Sequence, residues 1–484
     1  MRLTDLTKAY RGDFNPEIKG LTHDSRRVQE GWLFAALPGG RDDGRHYIVD
    51  AIRHGAVAVL TEPGTPIEET GEKVAHVVAE NPRRCLAQLA AKFYGQQPAV
   101  TVAVTGTNGK TSTVDFTRQI WQIMGLKAAS LGTLGVRGRD LEKGGSLTTP
   151  DPVALHAELA DLASAGITHL AMEASSHGLH QSRLDGVRAG AAGFTNLSHD
   201  HLDYHGSMED YLIAKAHLFE EILSEGGVAV LNADIPEFED LCACVAKRDC
   251  RILSYGRRGR DIVLKDISPD PGGQQVTIEI GGESYRVNIP LVGAFQVMNA
   301  LCALGLVMAE APDDAARTRE IVPHLADLKG VPGRLELVPG PGAGAVYVDY
   351  AHPPDALETI WQALRPHTPG RLICLIGCGG DRDSRKRPVM GEIAARLSDL
   401  AVITDDNPRS EDPAQIRHAM MVGAGDKAVE VAGRRAAIRR AVEEMKEGDV
   451  LVVAGKGHEQ GQLIGSIVEP FDDVGEVKKA MGIV

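Results

Sequence analysis

Eight residues, Val104-Thr-Gly-Thr-Asn-Gly-Lys-Thr111, constrain the fold of this chain more than any other segment. They follow a short apolar, β-rich run at 99–104 (AVTVAV), which fits a central parallel strand, and they lead into a helical pattern at 111–124. Strand, Gly-containing turn and helix in that order aim backbone N–H groups at an anion. Lys110 would contact the β- and γ-phosphates of a nucleoside triphosphate, and the Thr111 hydroxyl would hold Mg2+. The general pattern G-x-x-x-x-G-K-[ST] needs Gly where this chain has Val104, so it is not fully met. A chance Gly-Lys-Thr turn would share the letters. The strand before and the helix after favour a nucleotide site.

Such a loop belongs to a covered parallel sheet, and the remaining sequence divides into three blocks. The chain has 484 residues, and domains of roughly 100–200 residues suggest about three. Block 1–97 reads as a small α/β unit, with strands at 31–36, 57–60 and 74–78 and helical spacing at 81–93. In block 98–331 the strand, loop and helix order recurs near 170–173 and 228–231. A β-rich insert at 263–289 interrupts it, with turn signals at 270–273 and 281–282. Block 332–484 opens on a Pro/Gly-rich turn at 339–344. Strands at 345–348, 372–376, 400–403 and 450–453 then alternate with helical patterns, as in a doubly wound sheet. The expected fold class is α/β in three domains: a small N-terminal α/β domain, a central P-loop-type parallel-sheet domain and a C-terminal Rossmann-like domain.

Composition narrows the partners. A formal charge of −14 argues against a general nucleic-acid or membrane-surface binder, and any anionic substrate must be met by local Lys, Arg or helix N-termini. Seven cysteines are scattered, and the cluster Cys242, Cys244 and Cys250 lacks the paired spacing of a zinc site. Free thiols and a reducing compartment are expected. The first ten residues carry charges and show no signal peptide, and no stretch approaches about 18 uninterrupted apolar residues. A soluble, cytoplasmic protein is expected.

Two further segments carry metal-site residue types. Glu173, in Met172-Glu-Ala-Ser-Ser-His177, follows an apolar run and could hold Mg2+ beside phosphates, although a carboxylate there is also a common surface cap. Residues 195–205 (TNLSHDHLDYH) pack three His and two Asp into eleven positions without the Cys or His-x3-His spacing of zinc. Lys215 lies ten residues beyond, in a helical segment where a solvated lysine is the default.

The loop TGTNGKT, with Gly106 in the family's glycine position, resembles the ATP loop of the Mur ligases and of folylpolyglutamate synthetase, and TNLSxDHLDxHG matches the Mur family almost letter for letter. The resemblance extends over essentially the whole chain. It implies a ligase that phosphorylates a carboxylate with ATP and lets an amine attack the acyl phosphate, in a site closed against water. By that resemblance ATP meets Gly106, Thr107, Asn108, Gly109, Lys110, Thr111 and Ser112, and also Asn299, Arg334, Asp349 and His352. Two Mg2+ ions are implied, held by Thr111, Glu173, His201 and Lys215, the last as a CO2-derived carbamate. Carbamylation requires local burial to depress the lysine pKa, because the neutral amine attacks CO2. The family's F-N-x-x-N reads F-Q-x-x-N here, at Gln296.

The same resemblance places the substrates. Thr22-His-Asp-Ser-Arg26 resembles a uridine-diphosphate-binding segment with Ser25 as the contact, although an Asp-Ser-Arg turn capping a strand would look alike. Thr148, Thr149, Ser175, Gln181 and Arg183 match positions that hold the muramoyl dipeptide, with the two threonines supplying hydroxyl donors and Arg183 a two-pronged grip on a carboxylate. Asp405-Asp-Asn-Pro-Arg409 resembles the signature of the branch that selects meso-diaminopimelate. Arg409 would pair with the distal carboxylate that lysine lacks, and Asp406 and Asn407 could hold the accompanying ammonium. Arg382, Pro408, Gly455 and Glu459 join this group by resemblance. The loop could also be an Asx-type turn closed by Pro.

The partners implied are therefore small molecules, with no nucleic acid and no membrane insertion, and a monomer is expected. A folylpolyglutamate synthetase would not explain the N-terminal block or the 405–409 loop. A nucleotide switch or motor would leave Lys215, Arg409 and the third block without roles.

Overall fold

Apolar runs flanked by Gly turns fold here as parallel strands. The structure is a computed structural model that describes all residues except 40–41, 67–72, 146, 271, 341–343 and 484. The turns expected at 270–273 and 339–344 lie partly outside the described residues. The chain forms two compact units, Met1–Val263 with Leu301–Thr318, and Leu264–Ala300 with Arg319–Val484.

In the first unit, β1 (Gly20–Thr22), β2 (Trp32–Ala35), β3 (Ala56–Thr61) and β4 (Ala75–Val78) form a parallel sheet in chain order. The helix Pro82–Tyr94 follows. The Asn81 side chain caps it by accepting from Arg84 N at 3.0 Å, Pro82 starts it, and Gly95 ends it in the left-handed region. Leu86, Leu89 and Ala90 lie on its buried face with Leu33 and Leu60, because their spacing gathers them on one side.

The larger sheet of this unit contains β5 (Val100–Thr105), β6 (Ala128–Gly132), β7 (Gly135–Arg137), β8 (Glu142–Lys143), β9 (His169–Glu173), β10 (Ala189–Phe194), β11 (Leu223–Asn232) and β12 (Arg251–Gly256). Their order is β12-β11-β10-β5-β9-β6-β7-β8. The pairs from β12 to β6 are parallel, and β7 and β8 add antiparallel turns at the edge. β5 is central and buried, so the loop after it opens at the carboxyl end of the sheet, flanked by the ends of β9 and β10.

The second unit contains the expected β-rich insert. β13 (Ile262–Asp270) leads to β14 (Gly273–Ile280) and β15 (Glu283–Ile289), and the last two form a hairpin. Gly281 and Gly282 both have positive φ, as a two-residue turn that matches strand twist requires. The C-terminal sheet holds β16 (Glu336–Val338), β17 (Ala345–Asp349), β18 (Leu372–Cys378), β19 (Leu400–Asp405), β20 (Ala428–Glu430) and β21 (Val450–Ala454). Its order is β16-β17-β21-β18-β19-β20, parallel apart from β16. Apolar clusters cover both faces, one around Trp361, Met390 and Ile416, the other around Ala437, Ile438 and Val477. β21 is last in sequence yet sits between β17 and β18, so loops from β18, β19 and β21 converge at one end. A short hairpin, β22 (Gly461–Ile464) and β23 (Ile467–Pro470), follows β21.

Candidate active site

The phosphate loop is held by the segment 195–198. Thr195 Oγ1 donates to the Asn108 carbonyl at 2.6 Å, Asn196 Nδ2 donates to the same oxygen at 3.1 Å, and Thr107 N donates to Asn196 O at 2.8 Å. Ser198 N donates to Thr107 Oγ1 at 3.0 Å. Thr195, Asn196 and Ser198, the start of the motif read from sequence as a metal segment, therefore brace the loop, a role its letters did not suggest. Gly106 sits at φ +141°, and a Cβ there would collide with Thr195 Oγ1. Lys110 Nζ folds over the loop and donates to the carbonyls of Gly106 (2.9 Å) and Thr107 (2.7 Å).

Thr111 and Glu173 touch, with Thr111 Oγ1 donating to Glu173 Oε1 at 3.0 Å. Glu173 is the last residue of β9 and is buried, so it is not a surface cap. Thr133 N also donates to Glu173 Oε1, at 2.8 Å, which fixes the carboxylate beside the loop. A hydroxyl and a buried carboxylate in contact at a phosphate loop are the hard oxygen donors that Mg2+ prefers.

Lys215 is 1% exposed, and its Nζ donates to Gly106 O at 2.7 Å and lies 4.2 Å from the centroid of the Tyr211 ring. Burial pushes its pKa well below the ordinary lysine value, and the nearby charge of Lys110 lowers it further. The solvated default does not hold, because the helix Met208–His217 turns Lys215 inward with Tyr211 and Ala214. Tyr211, itself buried, shares a hydrogen bond with Thr107 at 3.3 Å, and its ring also neighbours His201 at 6.4 Å between centroids. His201 begins the helix Leu202–His205 at φ +53° and is half exposed. Lys215 and His201 thus flank one tyrosine, which sequence reasoning missed. Among the described residues no group of three or more His, Cys, Asp or Glu forms a ready cage for a metal.

The residues expected to hold the dipeptide divide. Thr149 is 1% exposed. Its hydroxyl donates to Glu173 O at 3.1 Å and accepts from Ser175 N and Ser175 Oγ, both at 3.0 Å. Thr149 is a brace between β9 and the helix Ser176–His180, which corrects the expectation of a free donor. Ser175 caps that helix by accepting from Gly178 N at 3.1 Å. Thr148 meets Thr133 at 3.0 Å between hydroxyls. Arg183 is paired internally, with Nη2 donating to Gln181 Oε1 and Nη1 to Thr149 O, both at 2.7 Å. A substrate carboxylate would have to replace Gln181. Ser25 opens the short turn Ser25–Arg27, half buried and capped by Asp24.

In the second unit, Asn299 donates to Gln296 Oε1 at 3.0 Å, and Gln296 reaches on to Arg334 O at 3.4 Å. The departure at 296 thus spans to a neighbour of the expected nucleotide face. Asp349 is buried, and its two oxygens accept from Leu335 N (2.7 Å) and Ala351 N (2.6 Å), so it shapes that loop. Arg334 stacks on Tyr350 at 4.8 Å.

Arg382, Asp406, Asn407, Arg409, Gly455 and Glu459 line one cavity of about 210 Å3 at the carboxyl ends of β18, β19 and β21. His352, expected with the nucleotide, lines the same cavity, and Pro408 does not. Arg409 has φ +53°, and β22 holds it there: Arg409 N donates to Leu463 O at 3.0 Å and Gly465 N to Arg409 O at 2.7 Å. Its Nη1 donates to Gly380 O at 2.7 Å. Asn407 Oδ1 accepts from Lys456 Nζ and Leu463 N, both at 2.9 Å, while Nδ2 donates to Glu459 Oε2 at 2.9 Å. The amide oxygen is therefore consumed internally, and the expectation that Asn407 holds an ammonium is corrected. The carboxylates in the cavity lining are those of Asp406 and Glu459.

Three family models match in sequence: "Mur ligase family, catalytic domain" at 17–94, "Mur ligase middle domain" at 104–307 and "Mur ligase, glutamate ligase domain" at 333–457. The chain belongs to the Mur ligase family. A Brucella melitensis protein named UDP-N-acetylmuramoyl-L-alanyl-D-glutamate–2,6-diaminopimelate ligase is 52% identical over 466 residues, covering 96% of this chain and 94% of its own length. A Caulobacter vibrioides protein of the same name is 50% identical over 489 residues, covering 99% and 98%. A solved structure of a ligase with that name superposes with a TM-score of 0.71 at 33% identity, over 96% of this chain and 95% of that one. MurF from Acinetobacter baumannii shares the fold, with a TM-score of 0.63 at 20% identity, over 93% and 95%.

Proposed function

We propose that this chain is an ATP-dependent ligase that joins meso-2,6-diaminopimelate to UDP-N-acetylmuramoyl-L-alanyl-D-glutamate, releasing ADP and phosphate, in peptidoglycan precursor synthesis. The observation that carries the substrate is the cavity where Arg382 and Arg409 meet Asp406 and Glu459. With Lys386 also in the lining, three cations and two carboxylates suit an amino acid that carries two carboxylates and two ammonium groups. Lysine would leave an arginine facing nothing, and an unmatched polar group in a built site discriminates strongly.

In this reading the block 1–97 binds the uridine diphosphate end through Ser25, and Thr148, Ser175, Gln181 and Arg183 receive the muramoyl dipeptide. The block 98–331 binds ATP through residues 106–112, and Asn299, Arg334, Asp349 and His352 complete the nucleotide face. The block 332–484 carries the diaminopimelate site. Lys110 leaves its loop carbonyls and neutralises charge on the β- and γ-phosphates while the acceptor carboxylate takes the γ-phosphoryl group. The amine then attacks the acyl carbon, phosphate leaves with the former carboxylate oxygen, and the amine loses a proton as the amide forms. Thr111 and Glu173 would hold one Mg2+, and His201 with Lys215 a second, where the ions offset phosphate charge. The buried, neutral-prone Lys215 amine would add to CO2 and lose a proton, giving a carbamate with carboxylate-like oxygens. The chain is read as a cytoplasmic monomer acting on small molecules, without nucleic acid or membrane insertion. All seven cysteines are free, as a reducing compartment favours, and no described helix is long and apolar enough to cross a membrane.

The test is release of ADP by purified protein given the nucleotide-linked dipeptide with meso-diaminopimelate or L-lysine. Turnover that requires the dipeptide and strongly prefers diaminopimelate supports the reading. Equal use of lysine removes the substrate assignment, and no turnover with either removes the ligase.

A further inference from the structure

Lys456 directly follows β21 and Gly455, and its side chain is 0% exposed. Desolvating an ammonium costs several kcal/mol unless its donors are matched. Its Nζ donates to Asn407 Oδ1 at 2.9 Å and to Glu459 Oε2 at 2.8 Å, and both partners line the amino-acid cavity. Lys456 is not among the residues that line it.

We propose that Lys456 is a positioning residue for the incoming amino acid, setting the orientation of Glu459 and the flip of the Asn407 amide. This rests on the reading of the cavity as the diaminopimelate site. The three side chains close a triangle: Lys456 donates to both others, and Asn407 Nδ2 donates to Glu459 Oε2 at 2.9 Å. Lysine can only donate, so Asn407 must offer it oxygen, and the amide NH2 is thereby turned to Glu459. Leu463 N donates to the same Asn407 oxygen at 2.9 Å, which agrees with that flip and ties the triangle to β22. Both donors reach Glu459 at Oε2, so Oε1 is the oxygen turned away from them. A carboxylate held by one oxygen and offering the other is aimed at a substrate cation, here the second ammonium of diaminopimelate. A methionine would fill the same buried space without a charge, but it would remove one of the two donors to Glu459 Oε2 and one of the two to Asn407 Oδ1, loosening both groups.

The experiment compares wild type with Lys456→Met, using meso-diaminopimelate and 2-aminopimelate, which lacks the second ammonium. Lys456→Met should lower kcat/KM for diaminopimelate at least about tenfold, mainly through KM. The KM values for ATP and the nucleotide-linked dipeptide should stay within about twofold. The preference for diaminopimelate over aminopimelate should shrink by a factor similar to the first, because the lost contact is the one the analogue never makes. Lys456→Gln keeps an uncharged NH2 donor group and should fall between the two. An unchanged preference overturns the proposal, as does a parallel rise in all three KM values. Failure of both variants to fold assigns Lys456 to structure alone and also overturns it. A wild-type enzyme that uses neither amino acid sinks the functional reading itself, and this one with it.

Discussion

Lys215 reaches the phosphate loop from a helix 109 residues further along the chain, its Nζ donating to the Gly106 carbonyl at 2.7 Å. Lys110 donates to the same oxygen at 2.9 Å. Two lysines share one acceptor, so each disfavours the charge on the other, and the buried one yields.

Lys215→Ala should therefore remove most ligase activity while leaving the fold intact. Short-chain carboxylates added to that variant should restore part of the rate, and wild-type activity should fall when CO2 and bicarbonate are removed. Initial rates of ADP release measure both. Full activity in the variant, or no rescue by any carboxylate, would remove the carbamate from the mechanism.

Arg409→Ala should cripple use of diaminopimelate. Losing a charged partner in a partly buried pair costs about 2–3 kcal/mol, or roughly 30- to 150-fold in kcat/KM for the amino acid. The KM for ATP should stay within about twofold. Equal damage to both substrates would place Arg409 elsewhere in the chemistry.

Gly106→Ala should abolish nucleotide binding. The residue sits at φ +141°, a conformation L side chains rarely adopt, and the added Cβ would displace Thr195 and the braces it gives to Asn108. Titration with a fluorescent ATP analogue would detect the loss. Binding close to wild type would mean that the loop tolerates a different path.

His156 makes stability depend on pH. It is 3% exposed on the helix Pro152–Ser164, its Nε2 has no hydrogen-bond partner, and burial lowers its pKa to about 4, with the Arg188 charge adding to the effect. The folded pKa lies below the unfolded value of about 6.5, so the unfolded chain binds more protons between these limits. Stability is full above about pH 6.5 and is lost as pH falls towards 4, by on the order of 3 kcal/mol. His156→Leu should flatten this part of the curve, as read by urea unfolding at pH 7 and pH 5. Equal losses in the two proteins would mean that His156 is not the group titrating.

The elements that carry chemistry were legible where one short run of sequence makes both the structure and the site. The strand, loop and helix around 104–111 and the strand before 405–409 are such runs, because local apolar pattern and Gly placement determine them. The roles of Asn407 and Thr149 were not. Asn407 meets Lys456 and Glu459 across 49 and 52 residues of chain, and Thr149 meets Glu173 across 24. Whether an amide oxygen or a hydroxyl is free depends on such partners, and no local pattern encodes it. Nor does a lysine in a helical segment announce its burial. Lys215 is enclosed because Met208–His217 turns that face towards the phosphate loop.

The backbone of Arg409 is gripped on both sides, at its N–H and its carbonyl, by the strand and turn of a hairpin, while its guanidinium donates to Gly380 O. The grip is indifferent to whatever side chain stands there, provided the residue tolerates a left-handed twist. On the proposed reading of Arg409, the hairpin supplies the mounting and the side chain supplies the contact with the amino acid, so the two can be altered separately. Asn and Gly accept that twist readily, so they are the replacements that would remove the guanidinium while keeping the mounting.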